Sequence, residues 1–89
     1  MTHKPLPKRF LSAEDRADRL SKLMRRKGLT AYSVSAKATR EGMPLAPIQV
    51  YRVLLQSAVH TPDPRTSTLI AIAFGCGVSA GFLIDRKVV

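Results

Sequence analysis

Three pairs of prolines divide this chain of 89 residues into short segments. The pairs are Pro5 and Pro7, Pro44 and Pro47, and Pro62 and Pro64. Because proline disrupts a helix interior and the residue before it avoids helical backbone angles, each pair marks a boundary between elements. The segments between the pairs carry helical periodicity, and a chain of this length supplies only one core. We therefore predict an all-α domain of four to five short helices.

Residues 12 to 28 carry the most complete helix signals. Ser12 is a suitable N-cap, Glu14 and Asp15 stand near the positive end of the helix dipole, and Gly28 supplies a left-handed stop. The apolar residues of the segment repeat at the spacing of one buried stripe, which comprises Ala17, Leu20, Leu23 and Met24. The basic residues beside that stripe are expected to be largely exposed, namely Arg16, Arg19, Lys22 and Arg26.

Two helices are predicted in the middle of the chain. Thr30 is the natural cap of the first, which runs from Ala31 to about Ala38. Pro47 fits the first turn of the second, which runs to about Gln56. The predicted core residues of the two helices are Ala31, Val34, Ala38, Val50, Val53 and Leu54.

The segment from Leu69 to Ile84 holds sixteen residues without a charge. Gly77 and Gly81 give it the small-xxx-small spacing of membrane helices, but a spanning helix needs roughly twenty apolar residues. We therefore expect two buried helices joined at residues 75 to 78. The first is capped by Asp63 or Thr66 and ends at Gly77, and the second begins near Ser79. The predicted core residues are Leu69, Ile72, Ala73 and Cys76.

The charge balance limits the class of partner. Fifteen Lys and Arg against six Asp and Glu give a formal net charge of +9. Such an excess on a small domain favours DNA, RNA or an anionic membrane surface, and the alternative is a basic surface that serves solubility alone. Residues 1–11 hold three basic residues and are predicted to form a flexible basic arm, so that residues 12–89 form the domain.

Catalytic and metal-binding patterns are missing from the sequence. It has no paired carboxylates, no glycine-rich phosphate loop, and no metal-ligand spacing between His3 and His60. The single Cys76 cannot form an internal disulfide, which favours a reducing cytoplasmic setting. We expect neither an enzyme nor a cofactor nor a metal.

The order of the predicted helices resembles the Cro/repressor, or xenobiotic-response-element type, family of helix-turn-helix proteins from about Arg19 to Leu83. The resemblance is carried by Leu29-Thr30, by the segment from Leu45 to Val53, by Pro64 with residues 68 to 73, and by Gly77-Val78-Ser79. The buried positions of the family's recognition helix are matched by Leu45, Val50 and Val53. Roughly five residues, 40 to 44, are inserted where the family's turn is tight. The longer turn and the ending 80 to 85 are similar to actinobacterial variants.

The resemblance implies a recognition helix that lies in the major groove of duplex DNA. The positions that would contact bases are Pro47, Ile48, Gln49, Tyr51 and Arg52. Arg52 can donate to O6 and N7 of guanine, Gln49 can pair with N6 and N7 of adenine, and Ile48 can contact a thymine methyl group. Tyr51 can also bond a phosphate. Phosphate contacts are expected from Thr30, Ser33, Lys37, Arg40, His60 and Arg65.

An apolar patch is expected opposite the core side of the fourth helix. Ile70 and Phe74 lie one turn apart there, and Phe82 and Ile84 flank Leu83 in the same way. A small monomer should not expose so large a patch, so these four residues are predicted to form a homodimer interface. Alternatively, the arm covers the patch through Leu6, Phe10 and Leu11.

These features together predict a function. We expect a sequence-specific regulator of transcription, a repressor or Cro-like protein, that binds double-stranded DNA as a homodimer. It would be cytoplasmic and nucleoid-associated, with no membrane partner. The alternative is a protein-interaction module, an antitoxin or antirepressor, on the same helical scaffold.

Overall fold

The computed structural model describes residues 11–55 and 64–85, and the fold of this part of the chain is all-α, as predicted. Its elements are α1 (Ala13–Lys27), α2 (Ala31–Arg40), α3 (Pro47–Leu54), α4 (Thr66–Cys76) and a 3-10 helix (Ala80–Leu83). α2 packs against both α3 and α4, while the 3-10 helix packs against α4 and α1. None of the helices in the described ranges has the length and apolar character that crossing a membrane requires.

α1 forms as its local sequence predicts. The Ser12 hydroxyl accepts a hydrogen bond from the Asp15 amide at 3.1 Å, which caps the helix start. Gly28 ends the helix in the left-handed region with φ of 67°. The buried residues of α1 are the four of the predicted stripe, Ala17, Leu20, Leu23 and Met24.

Two arginines of α1 are less exposed than predicted. Arg16 Nε donates to the Leu83 carbonyl at 3.2 Å, and Arg19 donates to the Phe82 carbonyl at 2.9 Å. Both carbonyls belong to the 3-10 helix, whose backbone leaves such groups without partners within the helix. The two guanidinium groups therefore fasten the C-terminal 3-10 helix to α1, a contact between residues more than sixty positions apart.

The crossing of α2 and α4 depends on Gly75. This residue lies inside α4 and not at a junction between helices, and the helix ends at Gly77, which has φ of 76°. A Cβ atom added at Gly75 would lie 2.5 Å from the Val34 carbonyl oxygen and 2.8 Å from Val34 Cγ1. Glycine at this position therefore lets the two helices approach more closely than any other residue would.

Three helix ends differ from the predicted ones. α2 continues two residues beyond Ala38, to Arg40. α3 is last helical at Leu54, and Leu54 is only partly buried. Thr66 is the first helical residue of α4 and not its cap, because Arg65 occupies the N-cap position without a side-chain hydrogen bond. The predicted end at Gln56 and the alternative cap Asp63 lie outside the described residues.

The core lies between the helices and also includes the first described residue. Leu11, which was predicted to belong to the flexible arm, is buried, and its amide donates to the Ile84 carbonyl at 3.0 Å. The rest of the predicted arm, including Leu6 and Phe10, lies outside the described residues. The largest fully buried side chains are Leu20, Leu23, Val34, Val50, Val53, Ile72 and Leu83.

Candidate nucleic-acid interface

The turn between α2 and α3 is held at its far end by two side chains of α2. Ser35, which is buried, donates its hydroxyl hydrogen to the Leu45 carbonyl. The Thr39 hydroxyl lies 3.3 Å from both the amide nitrogen and the carbonyl oxygen of Leu45. Because Leu45 is also buried through its own side chain, the start of α3 is fixed against α2 in spite of the long connection. Sequence analysis did not identify Ser35 or Thr39, since each acts on a residue beyond its own helix.

The first turn of α3 is closed by Gln49. Its Oε1 accepts a hydrogen bond from the Ala46 amide at 2.8 Å. Ala46 is the N-cap residue and has no polar side chain, and Pro47 has no backbone N–H to donate. Gln49 therefore serves as a cap, a role that the prediction of a two-bond contact with adenine did not include.

One side of α3 faces the core and the opposite side faces solvent. Val50 and Val53 are fully buried. Ile48 and Leu55 are 53% and 54% exposed, and Tyr51 and Arg52 between them are exposed as well. Pro47 is of intermediate exposure. Of the predicted base contacts, Ile48, Tyr51 and Arg52 thus lie together on the exposed face. Leu55 was missed, although it stands seven positions after Ile48 on the same face.

The start of α2 is closed by a reciprocal pair of hydrogen bonds. The Ser33 amide donates to Thr30 Oγ1 at 3.1 Å, and the Thr30 amide donates to Ser33 Oγ at 2.9 Å. These two hydroxyl groups, which were predicted to contact phosphate, are thus already used as caps. Tyr32 in the same turn is 68% exposed and was not identified from the sequence. The sequence gives no signal for Tyr32, because the helical spacing of apolar residues identifies buried positions and not exposed aromatic ones.

Two lysines lie at the C-terminal end of α4. Lys27 Nζ donates to the Cys76 carbonyl at 2.9 Å. Lys37 Nζ lies 3.8 Å from the position that a Cβ of Gly77 would occupy. Ammonium groups at this end stabilise the helix dipole. Burial raises the pKa of the Cys76 thiol to about 11, although the positive charges of Lys27 and Lys37 act in the opposite direction.

The other predicted phosphate contacts lie on different elements of the structure. Arg40, the last residue of α2, and Arg65, the N-cap of α4, are both exposed. Lys37 is half-buried near the end of α4, and His60 lies outside the described residues. Two of the four predicted cations are therefore exposed in the described part of the chain.

Charge is distributed unevenly along the fold. Between residues 19 and 55 the chain has eight basic residues and a single acidic one, Glu41. The basic residues are Arg19, Lys22, Arg25, Arg26, Lys27, Lys37, Arg40 and Arg52. Three of the six acidic residues, Glu14, Asp15 and Asp18, lie instead in the first half of α1. Five of the eight therefore lie in α1, and α2, the turn and α3 contribute the other three.

The predicted dimer surface is partly covered within the chain. Ile70 and Phe74 are 36% and 40% exposed on α4. Phe82 is half-buried, with the Arg19 guanidinium 5.1 Å from its ring centroid, and Ile84 is half-buried beside Leu11. The exposed apolar patch on this side therefore consists mainly of Ile70 and Phe74.

Among residues 11–55 and 64–85, no three His, Cys, Asp or Glu side chains lie together in a group that could hold a metal ion. Comparison of the chain with models of protein families, with curated proteins and with solved structures found no match. The geometry of α2, the turn and α3 is therefore the basis for a functional proposal.

Proposed function

We propose that this protein is a cytoplasmic, nucleoid-associated regulator of transcription, repressor or Cro-like, that binds double-stranded DNA in a sequence-specific manner. The observation that carries the proposal is the arrangement of α3. Its buried side is held against the core by Val50 and Val53, and Ser35 and Thr39 fix its start. Its exposed side presents Arg52 to solvent in a chain with net charge +9. A helix presented in this way has the dimensions and the charge that the major groove accepts.

Different residues of this surface would have different roles. Arg52 is the strongest candidate for base recognition, because its guanidinium can donate to both O6 and N7 of guanine. Pro47 and Ile48 at the start of α3 would lie closest to the base edges, and Tyr51 would contact a base or a phosphate. The phosphate contacts would come from the exposed Arg40 and Arg65, from His60, and from the start of α2 at Thr30 and Ser33. Lys37 would join them only by moving its ammonium away from the end of α4.

The first experiment is selection of bound sequences from random duplex DNA, followed by comparison of Arg52→Ala with the wild type. We expect Arg52→Ala to weaken binding to the selected site by roughly 1 to 3 kcal/mol and to leave binding to random duplex nearly unchanged. Lys22→Ala is the matched control, because it removes the same charge from an exposed pair with Asp18 on α1. Equal losses on selected and random duplexes would contradict a role of Arg52 in recognition, and no retained duplex would contradict DNA binding altogether.

A homodimer is the second part of the proposal. Ile70 and Phe74 would meet their counterparts across a two-fold axis, and if the operator is a simple palindrome the two copies of α3 would lie about 34 to 36 Å apart, one turn of DNA. Sedimentation of the wild type and of Phe74→Glu tests this. We expect a dimer that the substitution converts to a folded monomer, whereas Tyr32→Glu, at an exposed aromatic residue of α2, should remain dimeric. A wild type that is still monomeric at roughly tens of micromolar would contradict the proposed homodimer.

One observation favours the alternative function, a protein-interaction module such as an antitoxin or antirepressor. The exposed side of α3 has three large apolar residues, Ile48, Tyr51 and Leu55, and only one charge, Arg52. The two functions differ in their response to salt. Binding to DNA should weaken linearly in log affinity against log salt, and each lost phosphate contact should lower that slope by about one unit. Duplex affinity that does not depend on salt would favour the protein partner.

A further inference from the structure

We infer that α3 recognises the methyl groups of thymine on either side of a guanine and does not recognise adenine through Gln49. The inference rests on the proposed function and deepens it, since it names the class of duplex that the exposed face of α3 fits. Three observations carry it: the apolar residues that flank Arg52, the hydrogen bond that occupies Gln49, and the absence of a second charge on the exposed face of α3.

The exposed face of α3 places one cation between apolar side chains. Ile48 lies one turn before Arg52, and Leu55 lies just under one turn after it, and both aliphatic side chains are more than half exposed. At a rise of 1.5 Å per residue, Ile48 and Leu55 are about 10 Å apart along the axis, which corresponds to about three base-pair steps. A guanine bound to Arg52 would therefore have neighbours within reach of both aliphatic residues.

The chemistry of the major groove decides what Ile48 and Leu55 can recognise. Every base pair presents hydrogen-bond donors or acceptors there, but only thymine presents a methyl group. An aliphatic side chain placed against a polar base edge would remove water without supplying a partner. Placed against the thymine methyl group, it buries apolar surface on both sides. The flanking positions therefore favour thymine.

The hydrogen bond that caps α3 also limits which bases Gln49 can recognise. The two-bond contact with adenine needs the side-chain oxygen to accept from N6 while the amide nitrogen donates to N7. Here that oxygen accepts from the Ala46 amide, and the helix start has no other side-chain cap. One of the two lone pairs of this oxygen is committed to the cap, which holds the carboxamide at the helix start and leaves the amide nitrogen as the group that can donate to the groove. Its partners are then acceptors, namely O4 of thymine, O6 of guanine, or N7, which adenine and guanine share, so a donor alone does not select adenine.

The test compares two random duplex libraries that are identical except that one contains deoxyuridine in place of thymidine. Deoxyuridine pairs in the same way but lacks the methyl group. We expect the sequences selected from the thymidine library to contain guanine flanked by thymine. Replacing one contacted thymine of the selected site by deoxyuridine should lower wild-type affinity about fourfold, the value of one buried methyl group.

Ile48→Ala and Leu55→Ala identify the side chains responsible. Each variant should lose discrimination between thymine and uracil at one position of the site and keep it at the other. Uracil placed at the outer ends of the duplex, beyond the reach of α3, is the matched control and should change nothing. A variant that still discriminates at both positions as the wild type does would overturn the assignment of these side chains.

Gln49→Glu separates the contribution of Gln49 to the helix cap from its contribution to base recognition. Glutamate keeps an oxygen for the Ala46 amide but has no donor, so thermal stability should stay close to the wild type while binding to the selected site falls at least tenfold more than binding to random duplex. Gln49→Ala should lose stability as well, because the cap is removed. If the wild type selects adenine at a position where Gln49→Ala shows no preference, Gln49 recognises adenine and the inference is wrong.

The outcomes separate this inference from the function on which it rests. If neither library yields a duplex that is retained above random competitor, the proposed DNA binding fails and the inference fails with it. If both libraries yield sites of equal affinity, DNA binding stands and recognition of methyl groups is overturned.

Discussion

α3 and α4 are both rich in apolar residues, yet they place them in opposite environments. α4 buries six of its residues, Leu69, Ala71, Ile72, Ala73, Gly75 and Cys76, where α2 and the 3-10 helix pack against it. α3 buries only Val50 and Val53 and leaves Ile48 and Tyr51 exposed. The apolar content of a helix therefore does not tell whether it belongs to the scaffold or to a binding surface. The burial of its individual residues in the packed fold does, since each of the two helices packs against two other elements.

This difference predicts where substitutions affect folding and where they affect binding. At the buried positions of α4 a change meets a neighbour, so its cost should appear in the free energy of unfolding. On the exposed face of α3 the same change meets solvent, so its cost should appear only when the partner is bound. Four predictions test the contrast, from the largest expected effect to the smallest.

The same substitution at two isoleucines gives the most direct test. Ile72 of α4 is fully buried, whereas Ile48 of α3 is 53% exposed. Ile72→Ala should lower the free energy of unfolding by about 2 to 5 kcal/mol, because it leaves a cavity in the core. Ile48→Ala should change it by less than about 0.5 kcal/mol. Urea unfolding of both variants measures the difference, and losses of similar size would remove the distinction between the two helices.

Gly75→Val tests the close crossing of α4 with α2. The added Cβ would meet the Val34 carbonyl oxygen at 2.5 Å, so the helices must separate. Overpacking of this kind should cost about 1 to 3 kcal/mol in the free energy of unfolding. Ala36→Val is the control, since Ala36 is an exposed position inside α2 and has room for the same side chain. The crossing would not depend on glycine if both variants unfolded at the same denaturant concentration.

Ser35→Ala tests the turn that positions α3. The substitution removes the hydroxyl that donates to the Leu45 carbonyl and leaves that carbonyl less well satisfied. We expect a loss of about 1 to 2 kcal/mol in the free energy of unfolding. Ser67→Ala, at an exposed serine in the first turn of α4, should change it by less than about 0.5 kcal/mol. Equal stability of Ser35→Ala and the wild type would show that the turn does not need this bond.

Alkaline unfolding tests the burial of Cys76. Burial raises its pKa from 9.0 to about 11 in the folded chain. Between these two values the unfolded chain has lost the thiol proton and the folded chain has kept it, so the free energy of unfolding falls as pH rises. The contribution is at most about 1.4 kcal/mol per pH unit, and below the lower value it is absent. Cys76→Ala should remove it, so parallel pH profiles of the variant and the wild type would contradict the burial effect.

α1 could be predicted almost completely from the sequence, because its signals are local. Ser12 bonds to an amide three residues away, and Gly28 adopts a left-handed angle that follows from its own lack of a side chain. The same holds for Thr30 at the start of α2 and Gly77 at the end of α4. Caps and stops of this kind depend on neighbours within one turn, and those neighbours are fixed by the order of residues.

The candidate site could be predicted only in part. Arg52, Tyr51 and Ile48 share one face because helical spacing places them there, and the structure exposes them as expected. Gln49 was assigned to the same face, but its oxygen caps the helix. Lys37 was assigned to the surface beside the turn, but its ammonium lies near the end of α4. For Gln49 and for Lys37, the sequence is compatible both with a contact to DNA and with a contact within the fold. Helical periodicity does not distinguish the two.

The sequence by itself determined the number and approximate bounds of the helices, the buried stripe of α1 and the net positive charge of the chain. Only the tertiary structure decided that Gly75 permits a close helix crossing, that Ser35 holds the turn, and that Arg16 and Arg19 bind the 3-10 helix. The physical reason is the range of the interactions. Helix formation and capping act within a few residues, whereas these contacts join residues that become neighbours only after the helices have packed.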